Sequence, residues 1–167
     1  MRGQGAGAAR LAGPGLGLRG KAMDTDEKAV WTARATIEIA AAPEKVWSAL
    51  TGIDRWPEWQ PGVSAAKLEG GLAVGSVFRW KAKSLGIVST VRELEPGKRI
   101  AWAGISLGMR AVHAWTLEAT GAGTSVTTRE SMSGWLASFM RIVSPGFLEK
   151  SVAASLHALK ARSERSE

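Results

Sequence analysis

The sequence predicts an α+β domain in which antiparallel strands curve around one long C-terminal helix. Three observations carry this. Short alternating segments follow one another from residue 63 to residue 132 with only tight, Gly- and Pro-marked connections, the pattern of an antiparallel meander. One further alternating segment, residues 34–40, comes before them and is separated from them by a stretch with helical spacing. From Phe147 onward, Leu148, Val152, Leu156 and Leu159 form one stripe, with Glu149, Lys150, Lys160 and Arg162 away from it. That stripe has to be buried, and the concave face of a curved sheet is the simplest partner. A gap left between helix and sheet is a ready cavity.

Taken in order, residues 34–40 place Ala35, Ile37 and Ile39 on one strand face. Pro43 stands where a helix can begin, since its missing N–H is not needed in the first turn. Val46, Trp47, Ala49 and Leu50 then keep helical spacing until Gly52. Residues 53–62 carry two Pro, two Trp and a Gly, so they read as irregular or as a single turn. Strands follow at Val63–Glu69, Ser76–Lys81, Ile87–Leu94 and Arg99–Ile105, with Glu95-Pro96-Gly97-Lys98 as a turn. Residues 135–143 are apolar with helical spacing, Ser144-Pro145-Gly146 interrupts, and the long helix begins at Phe147. His157 lies beside its stripe and reads as a surface residue.

Two strands within residues 109–133 concentrate the chemistry. Ala111, His113, Trp115 and Leu117 share one face; Val126, Thr128, Glu130 and Met132 share another. With Thr120–Gly123 as a four-residue loop, Ala119 pairs with Thr124, Leu117 with Val126, Trp115 with Thr128, and His113 with Glu130. A titratable pair on an apolar sheet face suggests a cavity with a few polar groups. Two plainer readings stand beside it. The pair satisfies itself inside the core, or a one-residue slip puts one member outside.

Composition narrows the classes. The 167 residues fit one domain with a real core. There is no Cys, and two distant His residues offer no metal-ligand spacing, so neither a metal nor a cofactor is expected. Eight Trp and no Tyr suit a thick core or the wall of an apolar pocket. Residues 1–22 hold Arg2, Arg10, Arg19 and Lys21, no acidic residue and seven Gly; without them the formal charge drops from +7 to +3. We read residues 1–30 as a disordered Gly-rich leader, with Met23 as an alternative start, and residues 31–165 as the domain. The mixed-sign remainder argues against nucleic acid. No apolar run is long enough for stable membrane insertion, and no secretory signal is visible, so a cytoplasmic location is expected. The pattern assigns no oligomeric state.

The segments APEKVWSALTGIDRWPEWQPGV, VRELEPGKRIAW, VHAWTLEATGAGTSVTTRESMSG and LHALKAR together resemble the SRPBCC (START-like) superfamily, more narrowly its polyketide cyclase/dehydrase and lipid-transport-like branch, over about residues 33–163. The resemblance implies a helix-grip fold. This is a curved seven-stranded antiparallel sheet around a long C-terminal helix, with two short helices between strands one and two. It also implies an apolar small-molecule ligand, such as a lipid or polyketide, between sheet and helix, and it places Trp56 and Trp59 near the cavity mouth.

Candidate walls are Trp59, Phe78, Trp80, Trp115, Met132, Phe147 and the helix stripe with Leu148 and Val152. A two-residue Pro96-Gly97 loop would set Val91 opposite Trp102 and Glu93 opposite Ile100. The Ser106–Gly108 connection admits two pairings, one of which turns Trp102 outward. Thr128 completes the ligand-facing set. Three functions remain open. The first is a binding module with His113 and Glu130 as polar anchors. The second is a metal-free cyclase or dehydratase with His113 as base and Glu130 as its orienter, Ser89, Thr90 or Arg92 assisting. The third is a structural protein whose cavity its own side chains fill.

Overall fold

The computed structural model describes Asp26 and residues 28–165. Of the expected leader, residues 1–30, only Asp26 and residues 28–30 fall among them; residues 1–25 and 27 lie outside. Asp26 and Val30 are bonded to the end of the seventh strand: Ser133 Oγ donates to Asp26 Oδ2 at 2.7 Å, and Val30 N to Met132 O at 2.9 Å.

Seven strands form one antiparallel sheet. They are β1 (Trp31–Ile39), β2 (Val63–Leu68), β3 (Val77–Ala82), β4 (Leu85–Glu95), β5 (Arg99–Ser106), β6 (Met109–Thr120) and β7 (Gly123–Ser133), in the order β1-β7-β6-β5-β4-β3-β2. Between β1 and β2 lie helix α1 (Pro43–Thr51) and a 3-10 helix (Ile53–Glu58); α2 (Trp135–Val143) and α3 (Phe147–Glu164) follow β7. Pro43 opens α1, and the N–H of Gly52 closes it on Ser48 O. The Pro-containing stretch after it takes a 3-10 form, whose short turns accommodate Pro57.

The β6–β7 register is as expected, with His113 opposite Glu130, Trp115 opposite Thr128 and Leu117 opposite Val126. The loop is tighter than expected. Thr120 pairs with Gly123, so Gly121-Ala122 alone make the turn. The β4–β5 hairpin departs twice from expectation. Its loop is three residues, Pro96-Gly97-Lys98, closed by Glu95 and Arg99, which shifts the pairing by one. A bulge at Arg92 then shifts it back, so Val91 still faces Trp102, while Glu93 faces Ala101 and not Ile100. Glu93 consequently lies on the outer face, where it accepts from Arg99 Nε at 2.7 Å.

A two-residue turn, Leu107-Gly108, joins β5 to β6 and puts Trp102 opposite His113, inward. Gly108 (φ +65°) has no room for a side chain: a Cβ there would sit 2.3 Å from the Trp135 ring. A Cβ on Gly134 (φ +104°) would lie 2.4 Å from Gly108 O. The two glycines lock the start of α2 onto the β5–β6 turn.

α3 lies across the β1 side of the sheet and against α1. Its stripe is core. Leu156 and Leu159 join Ile39, Val46 and Leu50, and Leu148 and Val152 pack with Trp31, Ala33 and Ala137. His157 is exposed. The β3–β4 and β5–β6 turns, the start of β1 and the end of β7 share one end of the sheet; the β4–β5 and β6–β7 turns share the other.

Candidate functional site

Between the inner sheet face, the 3-10 segment and α3 lies a cavity of about 520 Å³, within the ~300–1,000 Å³ typical of small-molecule sites. It opens at the α2 end. The exposed lining residues there include Gly62, Lys83, Ser84, Ser144 and Lys150. Two contacts hold the rim: Lys83 Nζ stands 5.5 Å from the Phe147 ring centre, and Gln60 Nε2 donates to Ser155 Oγ at 2.9 Å.

Of the expected ligand-facing residues, Trp59, Trp80, Trp102, His113, Trp115, Glu130, Met132 and Phe147 line this space. Five do not. Phe78 and Val91 are wholly buried behind the wall, Phe78 packing edge-on against Trp56 and Trp102. Thr128 is covered by the His113 ring it binds. Leu148 and Val152 point at β1, because the apolar stripe of α3 is consumed by the core. The helix instead turns its polar side, Lys150, Ser151 and Ser155, to the cavity. Trp56 is buried, its indole N–H donating to Leu50 O at 2.8 Å, and both it and Trp59 line the cavity. Sequence reasoning missed Gln60, Ser106, Ser151 and Ser155. The signal for the two α3 serines was present, since they fall on the face opposite Glu149 and between stripe residues.

The wall is strongly aromatic. The Trp56 ring centre lies 5.7 Å from Trp80 and 5.5 Å from Trp102. The His113 ring stacks on Trp115 at 5.0 Å and leans on Trp102 at 5.1 Å. Trp80 Nε1 donates to Ser89 Oγ at 3.1 Å, which leaves the Ser89 hydroxyl proton free to donate in turn. Of the possible assisting groups only Ser89 lines the cavity; Thr90 and Arg92 do not.

The polar pair is held from both sides. Thr128 Oγ1 lies 2.8 Å from His113 Nε2 and 3.2 Å from Ala114 O. His113 Nδ1 faces Glu130 Oε2 at 3.9 Å. That separation is beyond a hydrogen bond. Burial disfavours both charges. It pushes His113 down to about 3 and Glu130 up to about 7. The imidazole is thus neutral at pH 7, and the carboxyl is poised to gain or lose a proton. Thr128 thus bonds the imidazole at Nε2, and Glu130 faces it at Nδ1.

Comparison with known proteins now bears on this geometry. The family model described as polyketide cyclase / dehydrase and lipid transport matches residues 30–164. No curated protein matches the chain. Among solved structures, a hypothetical protein from Helicobacter pylori superposes with a TM-score of 0.76 at 18% identity, covering 98% of this chain and 100% of that one. The Zhui aromatase/cyclase from a Streptomyces species gives 0.71 at 15% identity, over 81% and 94%. A protein from Thermus thermophilus gives 0.69 at 17% identity, over 80% and 97%. At these identities the likeness is one of fold, the helix-grip.

Proposed function

We propose that this chain, which belongs to the polyketide cyclase / dehydrase and lipid transport family, binds one flat, largely apolar small molecule in the cavity between its sheet and its C-terminal helix. The observation that carries the reading is a cavity of about 520 Å³ left open within a wall of Trp59, Trp80, Trp102 and Trp115. Broad aromatic faces favour a planar or polyene ligand. A ligand of this kind would lay its apolar body on these faces and turn a carbonyl or hydroxyl toward Glu130, which donates when protonated and accepts when ionised.

Two measurements test this. Native mass spectrometry of the purified chain should show one bound small molecule per chain, recoverable by solvent extraction. Anilinonaphthalene sulfonate should quench the tryptophans saturably, and Trp115→Ala should weaken its binding. Quenching that rises without limit would overturn the proposal.

A second reading is favoured by the poise of Glu130. With Glu130 as proton carrier and the neutral His113 as hydrogen-bond partner, the site could shift a proton between an acidic carbon and an enolic oxygen, the step common to cyclisation and dehydration of a poly-β-ketone. Glu130→Gln would then abolish turnover and remove an apparent pKa near 7 from the kcat/KM profile. Full activity in that variant would eliminate the catalytic reading and leave the binding one standing.

A further inference from the structure

The outer face of α2 has nothing packed on it among the described residues. Trp135, Phe139, Ile142 and Val143 fall at i, i+4, i+7 and i+8, one side of the helix, and are 65, 57, 79 and 59 % exposed. Beside them stands Leu107, 73 % exposed, in the turn that Gly108 locks against the Trp135 ring. Large apolar side chains collected in this way mark an interaction surface.

The charge around this patch is mostly cationic. Residues 80–87, 103–112 and 131–148 build the end of the molecule that carries it. They contain Lys81, Lys83, Arg110 and Arg141 and no Asp or Glu. Lys150 follows on the cavity lip. Two carboxylates from flanking segments are engaged, Asp26 by Ser133 and Glu149 by the indole of Trp31.

We propose that α2 and the β5–β6 turn dock on an anionic lipid bilayer, with the five apolar tips entering the headgroup boundary and the cationic rim meeting the lipid phosphates. An apolar helix face edged by Lys and Arg is the form of a helix that lies in the membrane interface. A second copy of the chain would bring cation against cation at the rim. The same helix supplies Met140 to the cavity wall, and Ser144 and Phe147 follow it there. Docking therefore brings the cavity opening to the lipid surface, whatever molecule the cavity holds.

The test is co-sedimentation of the full chain with phosphatidylcholine vesicles, with and without phosphatidylglycerol. The chain should sediment only with the anionic vesicles and should be released by salt, since the rim charges are exposed. Phe139→Asp/Ile142→Asp should lower the bound fraction about tenfold or more, and Phe139→Ala/Ile142→Ala should lower it less. Both should melt like the parent, because the replaced side chains face outward. Failure to sediment with either vesicle, or equal sedimentation of the aspartate variant, would overturn the proposal. So would a dimer in analytical ultracentrifugation that the aspartate variant dissociates, because the face would then belong to a second copy. Dye saturation in the cavity is measured without vesicles, so either result leaves the other intact.

Discussion

Thr128 fixes how His113 sits. Its hydroxyl, 2.8 Å from Nε2 and 3.2 Å from Ala114 O, holds the imidazole with Nδ1 toward Glu130. The two buried groups then act oppositely on stability. Burial raises Glu130 from 4.5 to about 7, so between those values the folded chain holds a proton that the unfolded chain has lost, and stability falls as pH rises. Burial lowers His113 from 6.5 to about 3, so between those values the unfolded chain holds the extra proton, and stability rises with pH. The slopes cancel from pH 4.5 to 6.5. The pair's contribution to stability should climb between pH 3 and 4.5, stay level to 6.5 and dip toward 7. In Glu130→Gln the level stretch should become a continued rise to pH 6.5, where the unfolded chain's histidine loses its proton. Melting temperature against pH reads this directly; an unchanged plateau in the variant would contradict the assignment.

Among the elements, register was more legible than loop length. Alternation placed His113 against Glu130 because a slip of one would have exposed Trp115 and Val126, a cost no turn could offset. Nothing comparable fixes a bulge on the solvent side, and Arg92 carried no such signal. Val91 was nevertheless matched with Trp102, because a loop one residue longer than expected and a bulge one residue deep offset each other. The α3 stripe was legible as a buried face, but which neighbour buries it was not. Packing on β1 and α1 left the serine side for the cavity, a choice made by sheet curvature and not by periodicity. The paired irregularities make a prediction. Deleting Arg92 should straighten β4 and keep Val91 opposite Trp102 and Glu93 opposite Ala101, because the deleted residue has no partner across the hairpin. It should cost far less than the several kcal/mol that exposing Val91 would. Urea melts of the deletion decide it; a loss of several kcal/mol would mean that the bulge itself is required.

The whole molecule has two unlike ends. At one, Gly108 and Gly134 interlock a turn with a helix, apolar tips project, and the cavity opens. At the other, the Gly121-Ala122 turn is exposed and a Cβ on Gly121 would meet nothing within 4 Å. A short peptide spliced between Gly121 and Ala122 should leave the melting temperature nearly unchanged, while the same splice between Leu107 and Gly108 should unseat Trp135 and lower it by several degrees. Equal damage at both places would contradict this polarity. The practical yield is a handle: a tag or surface tether carried at Gly121 would hold every copy the same way up, with its entrance presented to the surroundings.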